Sequence, residues 1–260
     1  MNIQSARNIN FKSGFNKFNL KELNTVPIEV VELYFRTNGV NARFKDNKTF
    51  SVINMLCAQI LKKLRFSKNF EKLPFGTNPN SIRIFDKYEL LNNLPDSFCT
   101  SISGKITIDN EIYKPRSLFF INKKTSFEEM NEMAEDAKQK GFISSDNFMT
   151  YIIHEWMHNV HLAYLYKKNG FNEKEVAKYI KKISKIEFNS TEKTIIQEEL
   201  GEYVHHDGNI NAMEVIAEGL NKIICSCLDE NKLGINLSID ESVKKMPEKL
   251  INILQKILTY

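Results

Sequence analysis

The stretch that constrains this chain most is His154-Glu155-Trp156-Met157-His158, within positions 147–166, whose apolar spacing predicts one long helix. Residues four apart on a helix stack on one face, about 6 Å apart along the axis, so the two imidazoles can close on one metal ion. Glu155 lies about 100° round from His154, beside such an ion rather than under it. On a helical wheel Met149, Ile153, Trp156, Val160, Ala163 and Tyr164 form one broad apolar face. His154, His158 and Tyr151 lie opposite, with Leu165 near them and Leu162 and Phe148 alongside. A helix apolar nearly all round is a buried one, and polar groups inside it need partners. Any fold of this chain must bury the helix and still give two histidines and a glutamate something to bind.

The pattern H-E-x-x-H is the signature of zinc metallopeptidases, where the glutamate takes a proton from a water whose pKa the ion lowers to about 7. With 5 His and 23 Glu among 260 residues, chance placement gives about 0.008 matches, so a pair of ordinary core histidines is the weaker alternative. Hydrolytic zinc takes three protein ligands and keeps one position open, so a third donor must come from elsewhere. His161 stands about 10.5 Å beyond His154 on a continuous helix, too far to share its ion, and reads as a neighbour of the site or a packed core group. Glu214 and Glu218 share a face of a later helix, which Asn221 and Cys225 continue, with Met213, Ile216, Leu220, Ile223, Ile224 and Cys227 on its packing side. Glu214 is the favoured third donor. The alternative is an exposed acidic stripe in which Glu218 pairs with Lys222 one turn on.

His154-Glu155-x-x-His158 followed by Glu214-x-x-Ala217-Glu218 resembles the gluzincin arrangement, most of all that of the anthrax lethal factor and Pro-Pro endopeptidase group. The resemblance covers about residues 117–230. It implies zinc on His154, His158 and Glu214, with Glu218 supporting the site and Glu155 as general base. The separation of His158 from Glu214 is far longer than in thermolysin-like enzymes. In lethal-factor-like enzymes a tyrosine seven residues before the glutamate ligand steadies the oxyanion, and here that position is Asp207. Tyr203, His205 and His206 stand close by as candidate donors in its place, although the histidine pair also reads as a polar turn before Gly208.

The expected fold is α+β and zincin-like, a small mixed sheet preceding a central active-site helix and followed by a mostly helical C-terminal part. Residues 1–75 are read as an N-terminal arm and helical region and 76–260 as a zincin-like metallopeptidase domain. Helices are expected at 27–37 and 49–64, with a loop at Pro74, Gly76 and Pro79. Strands are expected at 82–85, 98–103, 105–108 and 117–121, with Asp109-Asn110 as a hairpin turn. Helices follow at 127–140, 172–186, 191–203, 210–229 and 241–258, and Ser145 or Asp146 would cap the helix of the two histidines.

Composition narrows the function classes. A hydrophobic share of 42% and a charged share of 26% are those of an ordinary globular protein. The net charge of +4 is spread over many segments, and the one gathering, Lys174, Lys178, Lys181, Lys182 and Lys185, reads as a solvated helix face rather than a nucleic-acid footprint. Cys57, Cys99, Cys225 and Cys227 make no disulfide framework and no C-x-x-C pair. No leader is read in residues 1–20 and no run approaches 18 apolar residues, so a cytoplasmic place is the default, with export by another route left open. The reading is a zinc-dependent endopeptidase acting on a protein or peptide substrate, with no nucleic acid and no membrane span. Its rival is a catalytically inactive zincin-like module that binds a protein partner, and the intact Glu155 argues against that.

Overall fold

The computed structural model describes residues 27, 29, 87–91, 99–102, 106–108, 111–113, 118–122, 127–170, 172–206, 208–229 and 243–259. The expected arm at 1–20, the helix at 49–64, the loop at 74–79, the strand at 82–85 and the domain boundary at 75–76 lie outside these residues, as does nearly all of the helix expected at 27–37.

Five strands come first: β1 Lys87–Leu91, β2 Cys99–Ile102, β3 Ile106–Ile108, β4 Glu111–Tyr113 and β5 Leu118–Asn122. β5 is central to a mixed three-stranded sheet, parallel to β1 and antiparallel to β2. Its sequence opens with four apolar residues in a row, the pattern of a strand covered on both faces. β3 and β4 pair antiparallel with Ile108 opposite Glu111, while the turn expected at Asp109-Asn110 lies outside the described residues. β1 was not expected: its Lys-Tyr-Glu-Leu-Leu sequence has no clean alternation and is placed by its pairing with β5.

The helices follow as α1 Phe127–Gln139, α2 Thr150–Lys168, α3 Glu173–Ile183, α4 Ser190–Leu200, α5 Ala212–Asp229 and α6 Glu248–Thr259. A 3-10 turn, Glu202–Val204, and a two-residue hairpin, β6 His205–His206 with β7 Asn209–Ile210, join α4 to α5. α2 carries the two histidines and starts three residues later than expected. Neither Ser145 nor Asp146 caps it directly: the Asn147 side chain accepts from the Met149 N–H, and Asn147 N–H donates to Ser145 Oγ. α6 starts seven residues later than expected because Pro247 stands just before it, and the Leu250 and Ile251 N–H groups bond the Pro247 carbonyl.

α2 packs against α5 and also touches β2, and its residues 152–157, 160, 161, 164 and 165 are buried. Ile152, Trp156, Met157 and Val160 on α2, Val215, Leu220 and Ile223 on α5, and Leu250 and Leu254 on α6 are all buried. Each such side chain contributes about 1.5–3 kcal/mol by leaving water. Gly219 lets α6 sit close to α5, since a Cβ there would be 3.0 Å from Leu254 Cδ1. The lysines of α3 face solvent around buried Val176 and Ile183, with Lys178 paired to Glu175 on the same helix.

The link between α1 and α2 is clasped to the chain after α4. The Gly141 and Phe142 carbonyls accept from the N–H groups of Glu202 and Tyr203. Gly201 makes the clasp possible, with φ at +88° and room for no Cβ, which would come within 2.5 Å of the Phe142 carbonyl oxygen. Both the backbone conformation and the contact oppose any side chain. Gly201→Ala is therefore expected to destabilise the protein by about 3 kcal/mol, read as a lower denaturant midpoint at unchanged slope.

Candidate metal centre

α2 and α5 run antiparallel, with Thr150 beside Asn221, His154 beside Glu218 and His158 beside Glu214. His154 and His158 come from one face of α2, one turn apart, their rings edge to face with centroids 4.8 Å apart. Glu214 enters from the first turn of α5. His154 Nε2, His158 Nε2 and Glu214 Oε2 form an equilateral triangle with sides of 3.1 Å. A point equidistant from its corners lies about 1.8 Å from each, so the three atoms stand close enough together to hold one zinc ion at bonds of about 2.0–2.1 Å. The His154 side chain is 5% exposed, but those of His158 and Glu214 are 22% and 27% exposed, so one side faces solvent. Two imidazole nitrogens and one carboxylate oxygen suit a borderline-soft divalent ion better than magnesium or calcium.

Behind His154 lies a chain of buried partners. Glu218 is buried, and its Oε2 lies 2.7 Å from His154 Nδ1. Its Oε1 accepts from both Ser144 N–H, at 3.0 Å, and Ser144 Oγ–H. Asn221 Nδ2 donates to Glu218 Oε2 and to Thr150 Oγ1, and the Cys225 thiol donates to Asn221 Oδ1. Burial alone would raise the Glu218 pKa, but the bond to His154, that histidine's charge and the Ser144 donors outweigh it and hold the carboxyl below its usual range. An ionised carboxylate only accepts, so Nδ1 of His154 carries a proton and Nε2 is the atom left to face a metal.

Burial would push the His154 imidazole down, yet its bonds to Glu214 and Glu218, with the charges of Glu218 and Glu155, raise it from 6.5 to about 10. Glu214 moves the other way: burial opposes ionisation, but the bonds to His154 and His158 hold it well below the carboxylate range. A raised histidine contributes stability fully below pH 6.5 and loses it as pH rises through 10. The lowered glutamates contribute above about pH 4.5 and lose it as pH falls. Metal-free protein should thus be most stable between those limits and weaken by a few kcal/mol towards pH 10. Denaturant melts with chelator at pH 5.5 and 10 read this, and Glu218→Gln should flatten the difference.

No family model, no curated protein and no solved structure matches this chain. What can be said of the site therefore rests on its own residues.

Glu155 is buried on α2, and its charge helps to raise His154. The Tyr203 ring stands edge-on to His154, centroids 4.9 Å apart, and to Phe142 at 5.5 Å. His205 turns a buried Nε2 inward with no partner among the described residues. His206 is described by its backbone alone, paired with Asn209, and Asp207 lies outside the described residues. His161 is a core group: both ring nitrogens are buried and unpartnered among the described residues, and burial, then the charge of His158, lowers its pKa to about 3.

The weaker alternative for Glu218, an acidic stripe paired with Lys222, does not form, since Lys222 reaches Glu199 at 2.6 Å instead. Residues 141–145 offer little free edge for an added peptide strand. Their Gly141 and Phe142 carbonyls and Ser144 N–H are already bonded within the protein, and the Ser144 carbonyl accepts from Lys138 Nζ. Sequence reasoning missed Ser144 and Thr150. The i+3 spacing of Asn221 from Glu218 was the only available signal for that contact.

Proposed function

We propose that this chain is a zinc-dependent endopeptidase of zincin-like fold. The observation that carries the reading is the triangle of His154, His158 and Glu214, open to solvent on one side, with Glu155 next to His154 on the same helix. Zinc held there supplies Lewis acidity and makes water acidic enough to be deprotonated near neutral pH. Glu155 would be the group to take a proton from a water bound there and to deliver it later to the leaving amine. Glu218 keeps the His154 ring in the one orientation that turns Nε2 to the site. Tyr203, His205 and His206 are the candidates to donate a hydrogen bond to the developing oxyanion, Tyr203 being the one whose ring is in contact with His154. The α2–α5 pair beside a mixed sheet supports the zincin-like assignment. The substrate class is a protein or peptide, and residues 105–113, which include β3 and β4, are a candidate edge for it to join as an added strand. Among the described residues, no helix is long and apolar enough to cross a membrane.

Metal analysis of gently purified protein, with a peptide-library digest, tests this. One zinc per chain and cleavage that chelation abolishes and zinc restores are expected. No bound transition metal and no zinc uptake on titration would overturn it. Stoichiometric zinc with no cleavage of any peptide would favour the non-catalytic module.

A further inference from the structure

We propose that Ser144 is a positioning residue for the metal centre, holding the Glu218 carboxylate that orients His154; this rests on the metal reading above. Ser144 belongs to neither ligand helix. It stands in the link before α2 and meets Glu218 across 74 positions of sequence. Its N–H and its hydroxyl both reach one oxygen, Glu218 Oε1, while the other oxygen takes His154 Nδ1–H and Asn221 Nδ2–H. The carboxylate is thus pinned from two directions, by the link and by its own helix. Ser144 and Glu218 are buried, so no water replaces a lost donor at little cost.

The serine is itself fixed. Its carbonyl accepts from Lys138 Nζ at 2.9 Å, and two residues earlier the link is clasped to Tyr203. A glutamate side chain held at one oxygen alone can swing about its last torsion. With the hydroxyl gone, Oε1 keeps only the backbone N–H, and the His154 ring gains freedom to leave the triangle. Partners behind a metal ligand typically contribute 10–100-fold to affinity. Ser144 acts one bond further out, so Ser144→Ala should weaken zinc binding about tenfold, the low end of that range.

The test is zinc affinity of the full chain by competition with a chromophoric chelator, for Ser144→Ala, Ser144→Thr, Glu218→Gln and the Ser144→Ala/Glu218→Gln double variant. Ser144→Thr keeps the hydroxyl and should bind within about threefold of the parent. In the Glu218→Gln background the alanine should add almost nothing, because its route to the metal has been cut. A purely structural serine would lower the melting temperature and leave zinc affinity unchanged, which overturns the proposal, as does a tenfold loss that persists without Glu218. Ring-nitrogen NMR of zinc-free protein supplies an arm independent of metal, and it serves also if the alanine variant folds poorly, through the threonine variant. The His154 Nδ1 proton resonance should move in Ser144→Ala and stay in place in Ser144→Thr. A parent that takes up no zinc but shows this movement sinks the metal reading and keeps the Ser144–Glu218–His154 linkage. An unmoved resonance sinks the linkage itself.

Discussion

Glu155→Gln is expected to hold zinc as the parent does and to hydrolyse peptides about 10²–10⁴-fold more slowly, the usual worth of a positioned general base. The amide has nearly the shape of the carboxylate, so the packing of α2 around this buried position is kept. What is lost is the ability to accept a proton from water and return it to the leaving amine. Zinc content and turnover measured on the same sample separate the two effects. If the variant cleaves as fast as the parent, the proton goes elsewhere and Glu155 is a structural group. If zinc is lost together with activity, the substitution has disturbed the ligand helix, and Glu155→Ala measured beside it would separate shape from basicity.

Glu214→Ala should cost far more zinc affinity than Glu218→Ala. The two carboxylates stand one turn apart on α5 but face different atoms of the same histidine. Glu214 Oε2 is 3.1 Å from His154 Nε2, on the metal side, while Glu218 Oε2 is 2.7 Å from Nδ1, on the far side. Removing Glu218 leaves all three ligand atoms and loosens one, for which about 10–100-fold is expected. Removing Glu214 leaves two nitrogens, one short of the three protein ligands that hydrolytic zinc takes, so the loss should run well past that range. Competition titrations on both variants read the ranking. The reverse order would move the ligand to Glu218, and equal, negligible losses would make both glutamates structural.

The parts of the site legible in sequence are those with a period. The four-residue steps from His154 to His158 and from Glu214 to Glu218 put each pair on one face, and the nearly all-apolar α2 told that its face is buried. The alternative partner offered for Glu218 fails for a physical reason. Lys222 is its neighbour by local helix geometry, but a buried carboxylate gains more from His154 and Ser144 than an exposed one gains from a lysine. Ser144 left no mark at all, since one serine in a short link has no spacing to read and its contact lies 74 positions away. The start of α2 was read too early because Ser145, Asp146 and Asn147 are all good helix openers, and only the fold shows that Asn147 makes the turn.

The antiparallel seating of α2 on α5 bears on how such a centre is assembled. Its ligands stand 56 and 60 positions apart in sequence, and closing loops of that length is an entropic cost. In small zinc modules the ion itself meets that cost, and they collapse when stripped of it. Here buried apolar side chains of both helices, among them Trp156 and Val160 on α2 and Val215 and Leu220 on α5, leave water whether or not an ion is bound. The chain should therefore keep its shape when the ion leaves, and a metal arriving later would find a finished socket.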